Sequence, residues 1–124
     1  MQFLEKKRPP PASTERGRQA EDHAWAYLQA QGLRLLQRNY RTPGRGGGEI
    51  DLICQTPDGT VVFVEVRSRT SSAFGGAAAS ISATKRRRIV FAARHWWQLH
   101  GGNRPSRFDV VMVQGPQVQW LPAA

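Results

Sequence analysis

Carboxylates are disfavoured in β-strands, and this chain has few to place: 9 Asp and Glu against 18 Lys and Arg. Glu49, Asp51, Glu65 and Asp109 nevertheless fall inside β-rich runs. Two of those runs, EIDLICQ and VVFVEVRSR, flank the segment Thr56-Pro57-Asp58-Gly59-Thr60, which has the composition of a hairpin turn. A type I turn closed by Gly59 at positive φ sets Thr56 opposite Thr60. Counting back from there pairs Cys54 with Val62, Leu52 with Val64 and Ile50 with Val66 on one face. The other face then carries Ile53 with Phe63, Asp51 with Glu65, and Glu49 with Arg67. The first face is wholly apolar, as a strand packed on a helix requires, and the second becomes charged away from the turn.

Directly opposed carboxylates have Cβ atoms roughly 4.5–5.5 Å apart and repel unless a cation or a proton intervenes. Mg²⁺ or Mn²⁺ suits such a pair, because these hard ions take oxygen ligands, keep several waters and stabilise charge on a phosphodiester. Asp51 and Glu65 are therefore the candidate metal ligands and catalytic acids. Arg67, two residues beyond Glu65 on the same face, can grip a phosphate in bidentate fashion. Glu21 precedes Ala24, Trp25 and Leu28 at helical spacing and leans toward the buried side of its helix, where it can join the metal site. Lys85 lies four residues before Ile89 and begins the sheet-facing stripe of a second helix, within reach of substrate. The candidate phosphate contacts are Arg67, Arg69, Lys85 and Arg86.

Each residue also has a plainer reading. Asp51 and Glu65 could belong to a charged surface hairpin paired with Arg41, Arg67 or Arg69. Glu21 could be an acid favoured by the dipole of a helix N-terminus, and Lys85 to Arg88 a solvated helix turn. Asp109 is expected to hold Arg107 in a structural role. The GRGGG stretch lacks the Lys-Ser/Thr ending of a phosphate loop and reads as a linker. Trp96 is expected in the core, with Trp97 a weaker candidate for stacking on a base. His23, His95 and His100 have no metal-ligand spacing and are assigned no role. Cys54, the only cysteine, sits among Ile50, Leu52 and Ile53 and reads as a buried hydrophobe.

These residues need elements to position them. The start of the chain, residues 1–13, combines three consecutive prolines with Lys6, Lys7 and Arg8 and reads as a flexible basic tail. A helix is expected from about Thr14 to Gln31, with Gly32 as its C-cap, then a strand over LRLLQRNYR and a loop over TPGRGGG. After the hairpin, TSSAFGGAAAS suits no regular element, and a helix follows from about Ser82 to Leu99 with Ile89, Ala92, Ala93 and Trp96 as its stripe. RFDVVMV is a strand, Gly115 and Pro116 a turn, and QVQWL a short edge strand. The order α-β-β-β-α-β-β implies an α/β fold, a mixed central β-sheet flanked by helices in one domain over residues 14–124. The 124 residues allow one core, and the net charge of +9 favours phosphate backbones or an anionic surface as partner. No apolar run approaches a membrane span and the opening residues lack a signal-peptide core, so no membrane partner and a cytoplasmic location are expected.

Gly17, Glu21, Ala24 and Leu28, then Gly48-Glu49-Ile50-Asp51-Leu52-Ile53, Phe63-Val64-Glu65-Val66-Arg67-Ser68-Arg69, Lys85, and Arg107-Phe108-Asp109-Val110-Val111 together resemble the YraN-like family of small bacterial proteins. That family looks like a branch of the PD-(D/E)XK nuclease superfamily, closest in layout to archaeal Holliday junction resolvases. The resemblance implies a restriction-endonuclease-like core, metal-dependent endonuclease chemistry on structured DNA and, by the resolvase analogy, a homodimer. Carried across by position, the superfamily's helix acid falls on Glu21, its metal-binding Asp on Asp51, its second acid on Glu65 and its catalytic lysine on Arg67. An arginine there can stabilise a phosphorane-like transition state but cannot act as a general base, which leaves Lys85 as the nearby lysine. A binding module that retains the fold without cutting is the alternative that this departure raises.

Overall fold

A computed structural model describes residues 12–44, 46–68 and 81–123. Five strands, β1 (Arg34–Arg41), β2 (Glu49–Gln55), β3 (Val61–Ser68), β4 (Ser106–Gln114) and β5 (Gln117–Leu121), form one sheet in sequential order. Helix α1 (Ala12–Ala30) precedes β1, and α2 (Ala83–His100) connects β3 to β4. Every neighbouring pair is antiparallel except β3 with β4, which run parallel across that helical crossover. The mixed sheet with its two helices is the expected α/β architecture. Arg69 and the TSSAFGGAAAS segment lie outside the described residues, as does the proposed tail except for Ala12 and Ser13, which already belong to α1.

Strand alternation divides the core into two layers. Leu52, Cys54, Val62, Val64, Val111 and Val113 pack against Ala20, Ala24 and Leu28 of α1. Ile53, Val61 and Phe63 pack on the opposite face against Ile89, Ala92 and Trp96 of α2. Small alanines bring α1 close to the sheet, and Gly32 at φ 99° ends that helix in the left-handed conformation that glycine adopts without steric cost. The β2–β3 hairpin has the expected register, from Gln55 opposite Val61 to Leu52 opposite Val64. Its turn is closed by Thr56 N–H donating to Thr60 O and by Gly59 N–H donating to Thr56 O, with Gly59 at φ 96°. Asp58 accepts hydrogen bonds from Thr56 and Thr60, which hold its carboxyl below the usual range.

The glycine-rich stretch does more than link. A Cβ on Gly48 would lie 1.9 Å from Arg88 O and 3.0 Å from Ala92 N, so the backbone before β2 runs directly against α2. Gly48 N–H also donates to the buried Thr42 Oγ1 at 2.8 Å, and Arg88 Nε donates to Gly47 O at 3.1 Å. Glycine at 48 thereby sets how closely α2 approaches β2, and with it how near Lys85 comes to the strand acids. Cys54 is fully buried, and burial followed by nearby Asp109 pushes its thiol up to about 12, as a small core hydrophobe requires. Among the described residues, no helix is long and apolar enough to cross a membrane.

Candidate functional site

Asp51 occupies a gap in the sheet. The β1–β2 rungs pass from Arg38–Leu52 to Tyr40–Ile50 and skip Asn39 and Asp51, while the β2–β3 rungs end at Leu52–Val64. Asn39 is in the left-handed region at φ 54°, a conformation that asparagine tolerates better than most residues. It interrupts the alternation of β1: Arg38 reaches the α1 layer, where it pairs with Glu21, whereas Tyr40 turns into the α2 layer. Ile50, opposite Tyr40, turns with it. The expectation that Ile50 shares a face with Leu52 is thus corrected, because the Asn39–Asp51 irregularity reverses both strands at once.

Where the regular rungs stop, the Asp51 side chain bridges to β3 instead, and its Oδ2 accepts the Val66 backbone N–H at 2.8 Å. Asp51 and Glu65 do come together, although the regular ladder stops one rung short of them. Burial first, then the charge of Glu65, raises the Asp51 carboxyl to about 7, against the lowering effects of the Val66 N–H and Lys85. Glu65 is only 4% exposed, and its Oε2 lies 3.3 Å from Lys85 Nζ. Lys85 is held in the first turn of α2, where its own N–H donates to the Oγ of the N-cap Ser82. The cap therefore fixes the helix start from which the ammonium reaches the strand acid.

Glu21 approaches from the other layer. Burial raises its carboxyl, nearby Asp51 raises it further, and hydrogen bonds from Arg38 and Asn39 work in the opposite direction. Arg38 Nε lies 3.4 Å from Glu21 Oε1, and Arg38 also contacts Asp22 at 2.6 Å. Glu21 is thus a neighbour of Asp51 that is partly neutralised by an arginine. Arg67 and Lys85 line, with Glu65, Ser68 and Ser82, an open cleft of about 400 Å³. The expected Glu49–Arg67 pair does not form: Glu49 lies 3.5 Å from Arg41 on β1, because β2 has already parted from β3 at that level. Arg67 is left facing the cleft. Arg86 does not line this cleft and lines a separate groove on α2.

Asp109 has the structural role expected of it. Fully buried, it receives bidentate contacts from Arg107 and hydrogen bonds from Trp120 Nε1 and Ala123 N, both at 2.9 Å. Trp96 is in the core at 3% exposure, and His95 hydrogen-bonds Tyr40 beneath α2. Asn39, Ser82, Gly48 and the Val66 N–H complete the site, and sequence reasoning assigned a role to none of them. Only Ser82, a good N-cap three residues before Lys85, carried a local signal.

The donor set suits a hard divalent ion. Among the described residues, no three His, Cys, Asp or Glu side chains form a metal cluster. A pair of carboxylates beside an open cleft is still enough for Mg²⁺ or Mn²⁺, which leave their remaining positions to water and phosphate. Burial and the charge of Glu65 raise the Asp51 carboxyl in spite of Lys85, and a bound cation would favour its ionised form.

A family model described as an uncharacterised protein family, UPF0102, matches residues 20–113. The chain is similar to a UPF0102 protein of Paracidovorax citrulli, 62% identical over 131 residues that cover 100% of this chain and 97% of the other. It is similar to one of Albidiferax ferrireducens, 62% identical over 112 residues covering 90% and 88% of the two chains. A UPF0102 protein of Verminephrobacter eiseniae is 56% identical over 140 residues, covering 100% and 97%.

Proposed function

From the premise that this chain belongs to the uncharacterised protein family UPF0102, we propose that it is a metal-dependent nuclease acting on structured DNA, with Asp51 and Glu65 as its centre. The observation that carries this reading is the meeting of Asp51 with the almost fully buried Glu65, which itself lines a cleft with Lys85 and Arg67. Evolution of a plain surface hairpin gives no reason to bury Glu65 beside a second carboxylate.

Asp51 and Glu65 would hold Mg²⁺ or Mn²⁺, with Glu21 adding negative charge from α1. When bound, the ion supplies Lewis-acid polarisation of the phosphodiester and offsets the charge of the reacting phosphate. The protein groups do the rest. The Val66 N–H fixes one Asp51 oxygen, so that the acid presents its other oxygen in a single orientation. Arg67 binds phosphate oxygens and stays charged throughout, which suits it to stabilising a transition state and not to taking a proton. Lys85, which pairs with Glu65 at 3.3 Å and lines the cleft, would place its ammonium beside the phosphate.

The test is cleavage of branched DNA by the full chain with Mn²⁺. Asp51→Ala should lower the rate at least about a hundredfold, the scale on which loss of one transition-state stabiliser is felt, while DNA binding in chelator persists. Arg67 in place of a lysine favours a second reading, a binding module that retains the fold without cutting. Salt-sensitive binding with no metal-dependent cleavage would establish that alternative instead.

A further inference from the structure

We propose that the groove between α2 and the paired residues Phe63 and Phe108 is a nucleobase pocket, which takes an unpaired nucleotide of the strand whose phosphate lies at Asp51 and Glu65. The inference rests on the nuclease reading for that phosphate and deepens it by naming the substrate's local state. Phe63 and Phe108 are partners on the parallel strands β3 and β4, and both pack in the α2 layer. The Trp97 ring, half-buried, lies 6.2 Å from that of Phe63. Together they border a groove of about 560 Å³, inside the roughly 300–1,000 Å³ range of ligand pockets.

Three features choose the occupant. The lining is mainly apolar and includes three aromatic side chains, Phe63, Trp97 and Phe108, the kind of side chain on which a base stacks. Arg86 and Arg94 stand exposed on the rim, and among the described residues neither has an acidic partner and no carboxylate lines the groove. Arg107, also at the groove, is already neutralised by Asp109. A ligand with a flat apolar body and a negative charge meets both requirements, and a nucleotide is that ligand. A second copy placed helix to helix does not, because α2 carries Lys85, Arg86, Arg87, Arg88 and Arg94 and no acid.

Position adds the third argument. Glu65 follows Phe63 by two residues on the same face of β3, a rise of about 7 Å, comparable to the span from a base to its own phosphate. A base stacked inside a duplex has no free face to offer, so the nucleotide must be unpaired, as at a single strand, a flap or a junction.

The experiment uses the full chain in chelator with labelled oligodeoxyadenylate of about six nucleotides, a length within the site sizes of single-strand binders, and an abasic backbone of equal length. Intact oligonucleotide should bind roughly tenfold or more tighter than the abasic one, the scale of one base stacked on an aromatic ring. Trp97→Leu should bring the two affinities together by weakening only the intact strand. Arg94→Gln, an exposed change that leaves the packing alone, should weaken both. Equal affinity of the wild-type chain for the two strands overturns the pocket, as does a base preference that survives Trp97→Leu. A dimer in sedimentation that dissociates on Trp97→Leu also overturns it, by showing a second copy in the groove. Because binding is read without metal, failure of cleavage would count against the nuclease reading alone, and loss of the base preference against the pocket alone.

Discussion

At the scale of single residues, Asp51 makes the sharpest prediction. Its folded-state carboxyl is raised from 3.8 to about 7 by burial and by Glu65, and Glu21 is raised as well. A carboxyl with a raised folded pKa binds its proton more tightly in the native chain, so its stabilising effect is full below the unfolded value and is lost as pH rises through the folded one. Each pH unit of that window is worth up to about 1.4 kcal/mol. Metal-free protein should therefore lose melting temperature between about pH 4 and pH 7, and Asp51→Asn should flatten that loss in the same thermal scans. If the deprotonated pair holds Mn²⁺, as proposed, the ion should raise the melting temperature above about pH 7 and have little effect near pH 5. Asn39 gives a second prediction. Asn39→Val must hold a β-branched residue in the left-handed region and should lose about 1–2 kcal/mol by chemical denaturation. Asn39→Gly keeps that backbone but removes the amide beside Glu21, so stability should stay within about 1 kcal/mol while Mn²⁺ affinity, read by calorimetry, falls. The types and spacing of Asp51, Glu65 and Lys85 were legible in the sequence because they violate strand propensity or complete a helical stripe. The role of Asn39 was not, since a left-handed residue inside a strand depends on what the neighbouring strand does, and Asn-Tyr carries no turn signature.

Among the elements, the hairpin was read to the residue because Pro57-Asp58-Gly59 fixes its register locally and one face is wholly apolar. That reading failed at Ile50 and Glu49, where the pairing is governed by β1 and by the departure of β2 from β3, both outside the hairpin. The mixed sheet followed from the order of elements alone, whereas the approach of α2 to β2 did not. It depends on Gly48 meeting the helix backbone, and a glycine in a glycine-rich stretch looks like a linker. Gly48→Ala should clash with Arg88 O and lose about 1–3 kcal/mol, the usual cost of overpacking, as a lower midpoint in urea. Gly46→Ala is the control for lost glycine entropy: its Cβ would meet nothing, although its φ of 66° carries strain of its own. The larger effect should belong to Gly48. Ser82→Ala should remove the cap of α2 for about 1 kcal/mol. Because the same hydroxyl anchors the helix turn that carries Lys85, that variant should also lower cleavage by more than its stability loss explains.

Across the whole molecule, the excess of positive charge matters by where it is left uncompensated. On β1, Arg38 is paired with Glu21 and Asp22, and Arg41 with Glu49. Helix α2 bears five Lys and Arg side chains and no acid, and only Lys85 among them has an acidic partner among the described residues. Uncompensated charge thus collects on the α2 side of the sheet, the side on which Glu65, Lys85 and the Phe63–Phe108 groove lie, and under the proposed function a phosphate backbone would dock there. A chain that held its charge as a diffuse cloud would bind DNA with a salt dependence insensitive to which arginine is removed. A docked backbone behaves differently, because each neutralised phosphate releases condensed counterions and contributes about 0.7 to the slope of log K against log salt for single strands and about 0.9 for duplex. Arg86→Gln and Arg87→Gln should each reduce the measured slope by about that amount. Arg34→Gln, on β1 and bound to Gln55, should leave the slope unchanged while removing the same formal charge. Titrations at several salt concentrations separate the two pictures: equal slopes for all three variants would mean that net charge alone, and not the α2 face, holds the nucleic acid.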